Sequence, residues 1–262
     1  MIPIQTVSFY VLLAHAILAI VLSWVYVRRY QVKRPPVGVL NLVDVAVMLA
    51  GVVFVPYLYL YLPLWLVILL LLSATASIIY FVLEPMLHSR AARWLITGAL
   101  VAADVLAVLV FGSASPVFFA VNNLALVVTI VSVTALWAQS GMRARDAAVL
   151  GAALAMYDFI FTAQLTVMSD LFARVADLPF APVVAWPIGN RQWSGIGLGD
   201  LLMAAVFPLV MRKGFGHTAG VWTMAIGIAV IAIVLALPDS IVQTGFPVMV
   251  VLGPLMVLEY TY

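Results

Sequence analysis

The sequence contains no cysteine, and only 8% of its 262 residues are charged. Without cysteine, disulfides, thiolate catalysis and cysteine-ligated metals are all excluded. Soluble domains usually carry about a quarter charged residues, whereas 66% of this chain is hydrophobic. A soluble fold would leave much of that apolar surface exposed to water. The composition therefore predicts a protein embedded in the lipid bilayer, and the net charge of +2 gives no reason to expect nucleic acid as a partner.

Stretches that are poor in charge divide the chain into nine candidate transmembrane spans. A spanning helix needs about 20 mostly apolar residues, so the nearly uncharged stretch 37–83 is long enough for two helices, with a turn marked by Pro56 and Pro63. No charge precedes the first span and a basic run follows it, which indicates a retained anchor rather than a signal peptide. The predicted spans are 7–27, two within 37–83, 93–112, 117–138, 146–168, 194–211, 217–237 and a last one from about 246 to the end.

The basic residues fall mainly in alternate loops of this arrangement. Ten of the twelve lie after the first, third, fifth and seventh spans, and only Arg174 and Arg191 lie on the other side, in the long loop 169–193. By the positive-inside rule, this pattern places the N-terminus outside and the C-terminus in the cytoplasm. We therefore expect an all-α membrane protein, a polytopic bundle of nine transmembrane helices. It forms one transmembrane domain, 1–262, with helices one to five in 1–138 and helices six to nine in 139–262.

Several polar residues lie inside the predicted spans, where a charged side chain is costly and indicates function by default. Asp44, near the cytoplasmic end of span two, is interpreted as an interfacial group. Asp104, in the middle of span four, is interpreted as a structural hydrogen-bonding group or a second functional acid. His15 in span one has no second histidine near it in the sequence, so no metal site is predicted.

Asp158 and Asp200 differ from the other acids in their surroundings. Asp158 is expected about halfway along span six, and Asp200 follows the run Gly195-Ile196-Gly197-Leu198-Gly199 in span seven. Glycines let a backbone leave ideal helix and approach another chain closely, although they also serve ordinary helix packing in membranes. Because spans six and seven run in opposite directions, the two carboxyl groups are expected at similar depth and are able to face each other.

Three short motifs resemble those of a known family. Tyr157-Asp158 and Gly197-Leu198-Gly199-Asp200 look like the YD and GxGD motifs of the presenilin and signal peptide peptidase intramembrane aspartyl proteases, which lie on the sixth and seventh of nine helices. The family's Pro-Ala-Leu motif opens the ninth helix. Its best positional match here is Pro247-Val248-Met249, which keeps only the proline, and Ala236-Leu237-Pro238 is a competing match. The resemblance covers the helical plan, and identity is visible only around these motifs.

The resemblance implies a presenilin-like fold and a catalytic pair, Asp158 and Asp200, that needs no metal or cofactor. Tyr157, Gly197-Leu198-Gly199 and Pro247-Val248-Met249 would be motif or substrate-binding residues. One carboxylate would act as general base on a water while its protonated partner polarises the scissile carbonyl. The predicted orientation is similar to that of signal peptide peptidase, so the substrates would be membrane helices with a cytoplasmic N-terminus. The short loops and frequent Ala, Val and Arg favour a prokaryotic homologue in the cell membrane, and homo-oligomerisation stays open.

A helical peptide bond must be unwound before it is cut, and pairing of the substrate with an exposed strand edge would do this. The loop 169–193 is the candidate gate: 169–174 fits a short interfacial helix, and the prolines at 179, 182 and 187 suit an extended segment. The alternative function is a proton-coupled transporter or channel that uses Asp104, Asp158 and Asp200 as a relay. The sequence shows no inverted repeat of the kind common in transporters.

Overall fold

A computed structural model describes residues 4–32, 42–162, 164–165, 167–189, 192–237 and 247–262. The described residues form ten helices and one two-stranded antiparallel hairpin. The helices are α1 (Ile4–Arg29), α2 (Leu42–Tyr61), α3 (Leu64–Val82), α4 (Arg90–Phe111), α5 (Pro116–Gln139), α6 (Ala144–Phe161), α7 (Val167–Val175), α8 (Leu198–Phe215), α9 (His217–Leu235) and α10 (Met249–Thr261). The hairpin consists of β1 (Val183–Gly189) and β2 (Gln192–Gly197), and it leads directly into α8.

Six of the described helices are long and apolar enough to cross a membrane: α1, α2, α3, α4, α5 and α9. Their outer faces carry large apolar side chains that are about three-quarters exposed, such as Leu95 and Leu109. Surfaces of this kind are rare on soluble monomers. The chain is therefore a multi-pass membrane protein. The other two long helices, α6 and α8, have 18 residues each and carry three charged residues each, and α10 is a shorter apolar helix.

Helix α5 lies at the centre of the bundle. It packs against α1, α3, α4, α8 and β1, and 67% of its most apolar stretch is buried, against 11–39% for the other five long apolar helices. Polar residues on a helix in this position cannot reach water and must find partners inside the protein. The hydrogen-bond partners of its two adjacent asparagines, Asn122 and Asn123, lie in β1 and just before it.

Helices α6, α8 and α10 form the part of the bundle that holds the two motif aspartates. Helix α6 packs against both α8 and α10. A methyl group added at Gly214, near the end of α8, would lie 3.9 Å from the Cβ of Ala144, the first residue of α6. Helix α8 is thus antiparallel to α6, as the predicted topology requires.

The structure corrects several expected boundaries. Pro56 lies inside α2, which continues to Tyr61, and Pro63 alone marks the turn by preceding α3. The described chain is mostly helical, as an all-α membrane protein requires, and the loop 169–193 contains most of the short helix α7 and β1, the first strand of the hairpin. The extended Gly195-Ile196-Gly197 belongs to β2 and not to the seventh span, since a Cβ at Gly195 would lie only 2.8 Å from the Val183 side chain on β1. Helix α6 ends at Phe161 rather than at 168.

Candidate active site

Asp158 lies in the last turn of α6 rather than halfway along it. Its carboxyl group accepts two hydrogen bonds from different parts of the chain. Oδ1 accepts from the hydroxyl of Thr162 at 3.3 Å, and Oδ2 accepts from the backbone N–H of Met249 at 3.1 Å. The second donor is the first residue of α10, so the positive end of that helix points at the carboxylate. This contact joins residues that are 91 positions apart in the chain, so no local sequence pattern predicts it.

Asp200 is the third residue of α8 and follows the N-cap Gly197. Its carboxyl group accepts a hydrogen bond from the backbone N–H of Gly197. An acid at this position turns back to the N-cap as in half of a capping box, and the helix dipole favours its negative charge. The GxGD run is therefore a helix start: Gly197 ends the strand, Leu198 and Gly199 begin the helix, and Asp200 satisfies its first turn.

The two aspartates come together at one end of the α6, α8 and α10 group. Asp200 lies within electrostatic range of the Asp158 carboxyl group, and both side chains are half-buried. Each receives a backbone N–H from the beginning of a helix, Asp158 from α10 and Asp200 from α8. Because ionising one carboxyl group opposes ionising a neighbouring one, this arrangement suits two acids that share one proton.

A close glycine crossing fixes α10 against α6. A methyl group added at Gly253 would overlap the carbonyl oxygen of Gly151 and come within 2.8 Å of the Cβ of Ala155. A methyl added at Gly151 would lie 2.9 Å from the sulfur of Met256. Gly151 and Ala155 are four residues apart on α6, the small-residue spacing that lets membrane helices approach backbone to backbone. This crossing determines how the N-terminus of α10, with the Met249 N–H, meets Asp158.

The third motif candidate is placed beside the aspartates by the same crossing. Val248 and Met249 are buried, and the carbonyl of Pro247 accepts from Val250 at 3.0 Å to begin the helix. In the competing candidate, Ala236 and Leu237 line a cavity with Ile188 and Ser194 of the hairpin, and Pro238 lies outside the described residues.

Tyr157 does not direct its hydroxyl to the aspartates. The hydroxyl donates to the sulfur of Met168 on α7 at 3.4 Å, and the ring stacks on Phe161 with centroids 4.5 Å apart. Tyr157 is therefore placed to join the end of α6 to α7, next to Asp158 along the chain.

The glycines of the GxGD region have different surroundings. A methyl at Gly197 would lie 2.9 Å from Oδ2 of Asp200, and one at Gly195 would lie 2.9 Å from the carbonyl oxygen of Val184. Gly199 is exposed and has open space around it. Two of the three glycines are thus needed for close approach, one to the hairpin and one to the acid.

Buried polar side chains of α4 and α5 hold β1 from the side opposite β2. Asn123 donates from its amide to the carbonyl of Ala185 at 2.9 Å and accepts from the N–H of Ala185 at 3.0 Å. Asn122 donates to the carbonyls of Ala181 and Val183 at 3.3 Å each. These contacts replace the strand that would otherwise pair with this edge. The two asparagines were not predicted, although an Asn pair in the middle of an apolar span is a signal that sequence alone offers.

Asp104, the third helix residue that contacts this segment, is fully buried and accepts the backbone N–H of Phe180 at 2.7 Å. Phe180 is the described non-glycine residue with a left-handed backbone, at φ 57°, a conformation that costs about 1–3 kcal/mol. Asp104 stabilises that turn just before β1. We name Asp104, Asn122 and Asn123 the strand clamp.

The remaining sequence candidates lie elsewhere. His15 Nδ1 is 2.7 Å from the carbonyl oxygen of Val11 in its own helix, and Asp44 lies in the first turn of α2. Within the described ranges, no group of three or more His, Asp and Glu side chains is arranged to hold a metal ion. Comparisons of the chain with protein-family models, with curated proteins and with solved structures found no match.

Proposed function

We propose that the chain is an intramembrane aspartyl protease that hydrolyses peptide bonds in transmembrane segments or signal peptides. The observation that carries the proposal is the pairing of Asp158 and Asp200, which interact across two antiparallel helices. Each carboxyl group is also held by a backbone N–H from the start of a helix. Two acids that share one proton supply both halves of acid–base catalysis.

In this mechanism one carboxylate takes a proton from a water molecule, whose oxygen attacks the carbonyl carbon of the scissile bond. The protonated partner first polarises the carbonyl oxygen. When the C–N bond breaks, the leaving nitrogen receives the proton taken from the water, and the pair returns to its starting state. The N–H groups of Met249 and Gly197 orient the carboxyl groups, since hydrogen bonds at fixed geometry reduce the reorganisation needed during reaction.

In this proposal the free edge of β2 pairs with a substrate, whereas the edge of β1 is already occupied. In the register of β1 and β2, Ala185 faces Gly195, and the N–H and C=O of such a pair point away from the partner strand. Asn123 occupies these groups on Ala185. Those of Gly195 have no hydrogen-bond partner outside the hairpin in the described part of the chain. A substrate unwound into a strand would pair with β2, whose last residue is Gly197 beside Asp200.

We further propose that α6, α8 and α10 complete nine spans, with a presenilin-like arrangement, an external N-terminus and a cytoplasmic C-terminus. The support is the alternation of basic residues between the helix ends. Substrates would then have a cytoplasmic N-terminus, and the protein would lie in a prokaryotic cell membrane. Because the chain has no cysteine, single cysteines introduced at exposed loop positions report topology without background labelling. Labelling of position 177 from the cytoplasmic side would overturn the orientation.

The decisive experiment is cleavage of a fluorogenic transmembrane peptide by the purified protein. Asp158→Asn and Asp200→Asn keep the shape of the side chains and remove the acid. Each is expected to lower the cleavage rate by about a hundredfold or more. Asp177→Asn, a change of the same kind at an exposed residue beyond α7, is the matched control and should cut normally. If both dyad variants cut as fast as the wild type, the proposal is wrong. Proton flux through liposomes that depends on both acids, without cleavage, would favour the relay.

A further inference from the structure

Arg93 is a buried arginine whose charge is poorly matched by the described residues around it. Only 9% of the residue is exposed, and its buried Nε has no hydrogen-bond partner. Its described charge partner, Glu84, is 3.8 Å away and 43% exposed, and its guanidinium lies 5.0 Å from the ring centre of Tyr80. A guanidinium has five donors and no acceptor, and burying a charge without close acceptors is costly. This arrangement favours the binding of an anion beside Arg93.

Arg93 lines a cavity of about 340 Å³ at the ends of α1, α3 and α4. Arg29 and His88 line the same cavity, and both are exposed at its rim. Two permanent cations and a histidine thus surround a space that contains one carboxylate, that of Glu84. Since the Glu84 side chain is partly exposed to solvent, it can turn outward when another anion enters. The cavity therefore favours an anionic ligand with several oxygen acceptors.

The walls of this cavity are held by buried and partly buried hydrogen bonds. The hydroxyl of Tyr26 donates to the carbonyl of Val82 at 2.6 Å, which joins α1 to the end of α3. The amide of Gln139, at the end of α5, donates to the carbonyl of Tyr30 at 2.8 Å and accepts from the N–H of Val32 at 2.7 Å. The chain after α1 is therefore held in place, and the site needs little reorganisation to bind.

Aromatic side chains place the cavity at the membrane–water boundary. Trp94, next to Arg93, is 61% exposed and packs on Tyr80 with ring centroids 4.6 Å apart. Exposed tryptophan and tyrosine are typical of the headgroup level. The surrounding helix ends carry Arg29 and Arg90, and basic clusters at this level attract anionic lipids.

We propose that this cavity binds a phosphate group, and its position favours the headgroup phosphate of an anionic phospholipid as the source. The guanidinium groups of Arg93 and Arg29 bind the phosphate oxygens, since arginine matches a phosphate through paired N–H donors. His88 lies at the rim of the cavity, beside the bound phosphate. The site is formed by α1, α3 and α4, so it is separate from the aspartates and does not depend on the proposed protease activity.

The test measures lipid binding to the full chain purified in a non-ionic detergent, by native mass spectrometry with graded lipid. The probes are phosphatidylglycerol, diacylglycerol (which lacks the phosphate) and inorganic phosphate as a competitor. We expect one tightly bound phosphatidylglycerol and no comparable diacylglycerol complex. Arg93→Gln and Arg29→Gln should each weaken phosphatidylglycerol binding about tenfold or more, because each removes a charged hydrogen bond. Arg28→Gln is the matched control, with the same charge change at a residue that does not line the cavity.

Each result separates the possibilities. Displacement of the lipid by millimolar inorganic phosphate would support the phosphate site and assign it to a soluble phosphate. No displacement, with loss of binding in both cavity variants, would support the lipid. Equal binding by Arg28→Gln and Arg29→Gln would overturn the proposal, and Arg29 is exposed, so this comparison stands even if Arg93→Gln fails to fold. Equal binding of diacylglycerol and phosphatidylglycerol would also overturn it.

Discussion

The crossing of α6 and α10 gives the sharpest prediction about the aspartates, through Gly253→Ala. Carbon atoms in ordinary contact are about 3.5–4.0 Å apart, whereas the new methyl would lie 2.8 Å from the Cβ of Ala155 and would overlap the carbonyl oxygen of Gly151. Helix α10 must therefore retreat from α6 by roughly 1 Å. Met249 is the first residue of that helix, so its N–H would move with it. The 3.1 Å hydrogen bond from this N–H to Asp158 would then lengthen beyond hydrogen-bonding distance.

A misplacement of about 1 Å at a reacting centre can cost about a hundredfold in rate, so the kcat of Gly253→Ala on the fluorogenic peptide is expected to fall by about that factor. The free energy of unfolding should fall by no more than about 2–3 kcal/mol, which is the cost of overpacking less the gain in helix propensity. Overpacking costs about 1–3 kcal/mol, and replacing a helical glycine with alanine recovers up to about 1 kcal/mol. The variant is thus expected to be folded but slow, with a KM close to that of the wild type.

The matched control is Gly98→Ala on α4, where an added methyl meets nothing within 4 Å. It should have wild-type activity and equal or higher thermal stability. Thermal unfolding followed by tryptophan fluorescence separates the two effects. A Gly253→Ala protein that cuts at the wild-type rate would refute the reasoning, because the crossing would then have no influence on the position of Met249.

Three further results are expected. Gly197→Ala should lower kcat about tenfold, because its methyl group would lie 2.9 Å from the carboxylate of Asp200. Gly199→Ala, where the added methyl meets open space, should leave kcat nearly unchanged. Equal losses in the two variants would contradict this prediction. Asn123→Ala leaves the buried N–H and C=O of Ala185 without hydrogen-bond partners and should lower the free energy of unfolding by roughly 2–6 kcal/mol. The control Thr129→Val loses a hydrogen bond within α5 and should cost under about 1 kcal/mol. Similar losses for the two variants in denaturant or thermal unfolding would show that the strand clamp is unimportant. Activity should show a bell-shaped dependence on pH, since the mechanism fails when both carboxyl groups are protonated at low pH and when both are ionised at high pH; a single ascending limb up to pH 9 would exclude the shared proton.

The sequence predicted the helical segments well where hydrophobicity alone decides. Long uncharged runs identify a membrane helix because every backbone polar group in lipid must be bonded within the helix. Proline was a less reliable guide. Pro56 was expected at a turn and lies inside α2, because Pro in a membrane helix is tolerated where neighbouring groups satisfy the freed carbonyl.

The arrangement around the aspartates was only partly accessible from sequence. Local motifs identified Asp158 and Asp200, but the start of α8 at Leu198 depends on the pairing of Gly195 with Ala185 across the hairpin. The Met249 contact and the strand clamp join segments that are roughly 60–90 residues apart. No periodicity within one segment reports such contacts, because they depend on how the helices pack.

The hydrogen bonds that occupy the outer edge of β1 have a consequence for how copies of the chain are able to associate. A sheet with two open edges can add strands on both sides and grow without limit, which is the geometry of β-aggregation. Here the side chains of Asn122 and Asn123 take the place of a strand on one side, so only β2 is able to recruit a partner. If two copies meet through β2, the result is a closed pair that cannot propagate into a fibre. The blocked edge of β1 therefore limits assembly through the hairpin to a single added strand at β2.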